Sequence, residues 1–262
     1  MCLRLDMTSR MINTVLTGTP TDQPSLLIAH GLYGSARNWG AIAKRMSEDR
    51  LVLSVDMRNH GQSDWDNSHS YPDMASDLAE VIATHGAPMD VIGHSMGGKA
   101  AMVLALQHPT LVRRLIVADI APVPYTHTQI GFIAAMRGLD LSLVEKRSDA
   151  DRLLATEIED AGVRAFLLQS LDIKAKHWRL NLDVLEAEMP KIMGFPNLDT
   201  QFNGATLFLS GAASDYVLPE HRTGIKTLFP KARFARIPDA GHWLHAEKPR
   251  EFVQTAQTFF RA

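Results

Sequence analysis

The chain has 262 residues, of which 45% are hydrophobic and 21% charged, with a formal net charge of −2. That length suits one large α/β domain or a domain carrying an insertion, and the near-neutral balance excludes electrostatic recruitment to nucleic acid or another polyanion. The one cysteine, Cys2, has no partner for an internal disulfide, and the longest apolar run, Ala100–Leu106, is far too short to span a bilayer. Met1–Ile12 alternates polar and apolar residues without the apolar core of a signal peptide, so a cytoplasmic protein is expected.

In chain order, Leu3–Met7 and Met11–Leu16 read as two short strands joined by the polar turn Thr8-Ser9-Arg10, an antiparallel start to a sheet. Leu26–Ala29 is a short apolar run without alternation, as a strand buried on both faces must be, and Leu51–Val55 reads as the next buried strand. Between them, Ile42 and Met46 mark a helix face. Tyr71-Pro72-Asp73 opens a helix with proline in its first turn; Met74, Leu78, Val81 and Ile82 form its core stripe, and Gly86 ends it. A strand from Met89 runs into Gly93-His94-Ser95-Met96-Gly97, followed by a helix that stops before Pro109. Leu115–Ala118 is the next buried strand.

The rhythm changes at Pro122. As far as Asn203 the pattern is helical, with four short helices marked by Ile130 to Leu139, Leu153 to Ile158, Phe166 to Leu171 and Leu182 to Met189. Strands return at Thr206–Ser210 and Ala232–Ile237, and a last helix spans roughly 250–260. Strands alternating with helices imply a mostly parallel, eight-stranded, doubly wound sheet in residues 1–121 and 204–262. Residues 122–203 read as a helical cap over the strand C-termini, where open α/β sheets bind ligands.

The G-x-S-x-G pentapeptide sits between a strand and a helix, the setting of a nucleophile elbow. Ser95 is therefore the candidate nucleophile, and a serine hydroxyl needs a base to attack. Together with His30-Gly-Leu-Tyr-Gly-Ser35, Asp56-Met-Arg-Asn-His-Gly61, Asp119-Ile-Ala-Pro-Val123 and Gly241-His-Trp-Leu-His-Ala-Glu-Lys-Pro249, the elbow resembles the α/β-hydrolase fold. Within that fold it is similar to the YbfF esterase and ABHD11-like branch, and the likeness covers essentially the whole chain. The resemblance implies a serine esterase or thioesterase with a small helical cap; small to medium acyl substrates are expected, and acyl transfer on this triad requires no cofactor.

In that fold the chain order is serine, acid, histidine, which places the base at His242. Two carboxylates stand where the acid belongs: Asp215, after the strand Thr206–Ser210, and Asp119, at the end of the preceding core strand. The resemblance favours Asp119. The fold's oxyanion hole maps to the backbone amides of Leu32 and Met96. His30 shapes the loop that presents Leu32 and borders the substrate site. Phe132, Met136 and Trp178, with Met189, Met193 and Phe195, are expected to line an acyl pocket.

Arg58, Asn59 and His60 read as a loop-fixing network, and His94 and Lys99 as structural neighbours of the elbow. His242 and His245 lack a third ligand at metal-binding spacing, so no metal is expected. Serine at the elbow argues against haloalkane dehalogenase and epoxide hydrolase chemistry, where an aspartate attacks. The competing readings are a C–C bond hydrolase or lyase on the same triad, and a hydrolase-like binding protein without turnover. A small-molecule ester or thioester is the expected partner, with no nucleic acid and no membrane span, and the protein is expected to be a monomer or homodimer.

Overall fold

The computed structural model describes residues 11–262. The described chain begins with β1 (Thr14–Thr17), β2 (Leu26–Ala29), α1 (Gly40–Met46), β3 (Val52–Val55), α2 (Tyr71–His85), β4 (Met89–His94), α3 (Met96–Gln107) and β5 (Val112–Ala118). Helices α4 (Ile130–Gly138), α5 (Arg147–Leu154) and α6 (Ala161–Leu167) follow, then a ribbon of β6 (Leu171–Asp172) and β7 (His177–Trp178). After α7 (Leu182–Ala187) and α8 (Met189–Met193) the chain returns through β8 (Ala205–Gly211), α9 (His221–Leu228), β9 (Ala232–Ile237), α10 (Leu244–Glu247) and α11 (Pro249–Arg261).

The central sheet has the order β1-β3-β2-β4-β5-β8-β9. All neighbours are parallel except β1, which runs antiparallel to β3 with Thr14 opposite Val55. The described residues supply seven strands of this sheet; the expected strand Leu3–Met7 lies outside them. Both faces are covered, which explains the uninterrupted apolar runs. In β2, Leu27 and Ala29 pack with Met74, Leu78 and Ala101 of α2 and α3. Leu26 and Ile28 pack on the other face with Ile42 and Met46 of α1 and Phe252 and Ala256 of α11.

Between β5 and β8 the expected run of helices is interrupted. Leu171, expected to end a helix, instead pairs with Trp178 in the ribbon of β6 and β7. Two-residue strands are too short to produce an alternation signal. The helix expected from Leu182 to Met189 breaks at Glu188, and Pro190 opens the separate helix α8 in its first turn, where its missing N–H costs nothing.

The turn between β4 and α3 carries a strained residue. Ser95 has φ 53° and ψ −120°, outside the regions open to most side chains. The conformation holds because backbone crowds it: a Cβ on Gly93 would overlap the carbonyl oxygen of Gly97, and one on Gly97 would overlap that of His30. Gly97→Ala is therefore expected to destabilise the protein by about 1–3 kcal/mol, because only rigid backbone could yield. Urea denaturation checks this, and an unchanged midpoint would contradict the packing account.

Candidate active site

Three loops at the strand C-termini bring Ser95, His242 and Asp119 together. The Ser95 Oγ lies 3.1 Å from Nε2 of His242. The Nδ1 of His242 lies 2.8 Å from Oδ2 of Asp119. A neutral imidazole between these groups donates from Nδ1 to the carboxylate and accepts the serine proton at Nε2. Asp119 is fully buried and takes a left-handed backbone conformation, φ 51°, at the end of β5. Its Oδ1 accepts the Gly211 N–H at 3.0 Å, and its Oδ2 also accepts the Ser214 hydroxyl. Two protein donors thus hold the carboxylate besides the imidazole.

The loop carrying His242 is fixed from several sides. Gly241 N–H donates to Glu247 at 2.7 Å, and His94 Nε2–H donates to the His242 carbonyl at 2.8 Å. The Tyr216 ring stacks on the imidazole with centroids 4.0 Å apart and planes at 20°. Its hydroxyl meets His127 Nε2 at 2.9 Å.

The other histidines of the site serve as scaffold. His30 Nε2 accepts the Met57 N–H at 2.9 Å, and His60 Nε2 accepts the Tyr33 N–H at 3.1 Å. These two bonds tie the loop after β2, which carries Leu32, to the loop after β3. Arg58 grips Asp77 through two hydrogen bonds of 2.6 and 2.8 Å, while the Asn59 backbone carbonyl accepts the Asn181 N–H. The expected loop-fixing roles of Arg58, Asn59 and His60 match these bonds. Burial lowers the affinity for a proton at His30, His60 and His94, and brings His69 and His245 down to about 3. His245 stacks on Trp39 at 4.1 Å, and its Nδ1 has no hydrogen-bond partner among the described residues.

The Met96 N–H opens α3, so no intrahelical carbonyl faces it, and Leu32 faces the same cleft beside Ser95. The cleft encloses about 690 Å³, part of it open to solvent. His30 lines it, as expected, and so does Met193. The remaining expected wall residues are elsewhere. Trp178 and Met136 are buried inside the insertion, where the Trp178 Nε1–H donates to the Met136 carbonyl at 2.9 Å. Phe132 borders a separate groove beside α4 and α5. The helices between β5 and β8 bury their larger side chains in one continuous cluster with the core residues of β2, α2 and α3. The cleft is walled instead by Phe166, Ile192, Tyr125, Tyr216 and Trp243.

Asp215, the alternative acid, is exposed in the turn after β8, while its neighbours Ser214 and Tyr216 reach the site. Ser214 and Tyr216 escaped the sequence reading. The available signal was their position in a loop leaving a core strand toward the site, beside an aspartate already singled out.

A family model described as "Alpha/beta hydrolase family" matches residues 26–255. The chain is 43% identical to the sn-1-specific diacylglycerol lipase ABHD11 of Mus musculus over 247 residues, 90% of this chain and 80% of that protein. It is 37% identical to Esterase YbfF of Escherichia coli K12 over 238 residues, 89% of this chain and 92% of that one. Among solved structures, a marine microorganism esterase at 37% identity superposes with a TM-score of 0.90, over 96% of this chain and 100% of that one.

Two measurements probe this geometry. Asp119→Asn is expected to lower kcat by up to about 10⁴, the cost of a lost orienting acid in serine proteases, and Asp215→Asn by less than about threefold. The reverse ranking would move the acid to Asp215. The second concerns pH. Native His245 stays neutral down to about 3, whereas the same ring in the unfolded chain takes a proton near 6.5. Its contribution is complete above pH 6.5 and drains away as the pH falls toward 3, by about 2 kcal/mol between pH 7 and 5. His245→Phe should flatten the stability profile over that interval by this amount; an unchanged slope would contradict it.

Proposed function

The chain belongs to the alpha/beta hydrolase family and is a serine ester hydrolase of its esterase and lipase type, and we propose that Ser95 is its nucleophile, His242 its general base and Asp119 the orienting acid. The observation that carries this reading is the continuous line of contacts from Ser95 Oγ through both ring nitrogens of His242 to the buried Asp119 carboxylate. His242 takes the serine proton as Oγ adds to the ester carbonyl. The N–H groups of Leu32 and Met96 receive the developing oxyanion. The tetrahedral intermediate collapses, the alcohol leaves with the proton held on His242, and the acyl group stays on Ser95. Water then gives a proton to His242 and attacks the acyl-enzyme, and the carboxylic acid departs as Ser95 recovers its proton.

Asp119 does not exchange protons in this cycle. It keeps the imidazole in the tautomer that accepts at Nε2 and stabilises the imidazolium once formed. Neutral His94 and His245 next to His242 add no competing positive charge.

The substrate is a small-molecule ester or thioester. Apolar side chains dominate the cleft wall, which suits an acyl chain of small to medium length. In this reading residues 122–203 act as a cap, with Phe166, Ile192 and Met193 brought from the insertion over the nucleophile. No helix among the described residues is long and apolar enough to cross a membrane. We place the enzyme in the cytoplasm on its single cysteine.

Mixing the enzyme with p-nitrophenyl butanoate and with butanoyl thioesters tests the function. A burst of nitrophenolate equal to the enzyme concentration, followed by turnover, is expected; Ser95→Ala should fold normally and lose at least about 10⁴ of the rate. Substantial turnover by Ser95→Ala would remove Ser95 from the mechanism. Tight binding of esters without turnover by the unmodified protein would favour a binding protein instead.

A further inference from the structure

Lys99 has no part in the proposed acyl transfer, yet it borders the cleft one helical turn beyond Ser95 and is only 1% exposed. A buried amine needs partners, and those of Lys99 come from the far side of the cleft. Its Nζ donates to the carbonyls of Met193, at 3.1 Å, and Gly194, at 2.6 Å. It also lies 4.7 Å from the centroid of the Tyr125 ring and 5.7 Å from that of Tyr71. The Tyr71 hydroxyl donates to the Ile192 carbonyl at 2.6 Å, and the Tyr125 N–H to the Met193 carbonyl at 3.0 Å.

These carbonyls are the C-terminal end of α8. The last carbonyls of a helix have no donor within the helix, and its negative end attracts a cation. A helix of five residues forms too few internal bonds to hold itself in place. Here α2, α3 and the segment after β5 supply the missing donors, so the end of α8 sits on the core through Tyr71, Lys99 and Tyr125. Ile192 and Met193, whose carbonyls are gripped, present their side chains to the cleft.

We propose that Lys99 is a specificity-determining positioning residue: by seating the carbonyl end of α8 on the core, it fixes Ile192 and Met193 as the wall against which the acyl chain packs. The inference rests on reading the cleft as an acyl-ester site. An acetyl group is short and gains little from that wall, whereas an octanoyl chain depends on it. Replacing Lys99 by methionine keeps an apolar stem of similar length but leaves the Met193 and Gly194 carbonyls without their shared donor.

The test compares the unmodified enzyme, Lys99→Met and Tyr71→Phe on p-nitrophenyl acetate, butanoate and octanoate, with amide hydrogen exchange over residues 189–194. In Lys99→Met the octanoate-to-acetate ratio of kcat/KM should fall about tenfold, carried by KM rather than kcat, and exchange over 189–194 should accelerate. Tyr71→Phe, which removes one bond and keeps the ring, should shift both in the same direction by less. A ratio unmoved in both variants, or an equal loss on all three esters through kcat, overturns the role of Lys99. If Lys99→Met does not fold, Tyr71→Phe decides alone. Active unmodified enzyme with an unmoved ratio defeats only the Lys99 inference; an unmodified enzyme inactive on every ester defeats the ester reading and this inference with it.

Discussion

The close approach of α3 to β2 and β4 at residues 93–97 governs the rest of the site. It forces Ser95 into a left-handed backbone conformation that a free chain would avoid, and it turns the serine side chain out of the sheet at its C-terminal edge. It also leaves the Met96 N–H at an open helix terminus, beside the loop that carries Leu32. One packing constraint thus places a hydroxyl and a helix-terminal N–H side by side. The strain at Ser95 is offset by the buried apolar faces of β4 and α3, which pack into the larger of the two core clusters.

Around that turn, histidine does two jobs that burial separates. His30, His60, His94 and His245 are deep enough that desolvation lowers their affinity for a proton; the first three act as fixed donors and acceptors between loops, and His245 stacks on Trp39. The side chain of His242 retains 18% of its surface and faces both a hydroxyl and a buried carboxylate. The same side-chain chemistry gives scaffold in one environment and, in the proposed mechanism, a proton carrier in the other. Tyr216 stacks on the His242 imidazole while its hydroxyl reaches His127 of the segment that precedes α4.

Much of the fold was legible in the sequence because its signals are local. Buried parallel strands read as short, mostly apolar runs, and β2 and β3 lie where those runs predicted. The helix from Tyr71 to His85 carries its proline, its apolar stripe and its terminal glycine in order. The elbow and the loop of His242 were legible for a similar reason, since each is a short motif between recognisable elements. The cap was not. Its ribbon is two residues per strand, and whether Trp178 or Phe166 faces the cleft depends on how five short helices pack on one another. Which of Asp119 and Asp215 approaches His242 is likewise a matter of loop paths, separated by 123 residues of chain for the pair that meets. The contact between Lys99 and the end of α8 spans 94 and 95 residues and leaves no periodic trace.

The account stands on Ser95 as the atom that bonds to the acyl group. Incubation with a fluorophosphonate, which phosphonylates an activated serine hydroxyl, followed by intact-mass and peptide mass spectrometry, tests this most directly. A single adduct on Ser95, formed in step with the loss of ester turnover, is the predicted result. An adduct on another residue, or full turnover after stoichiometric labelling of Ser95, would contradict it.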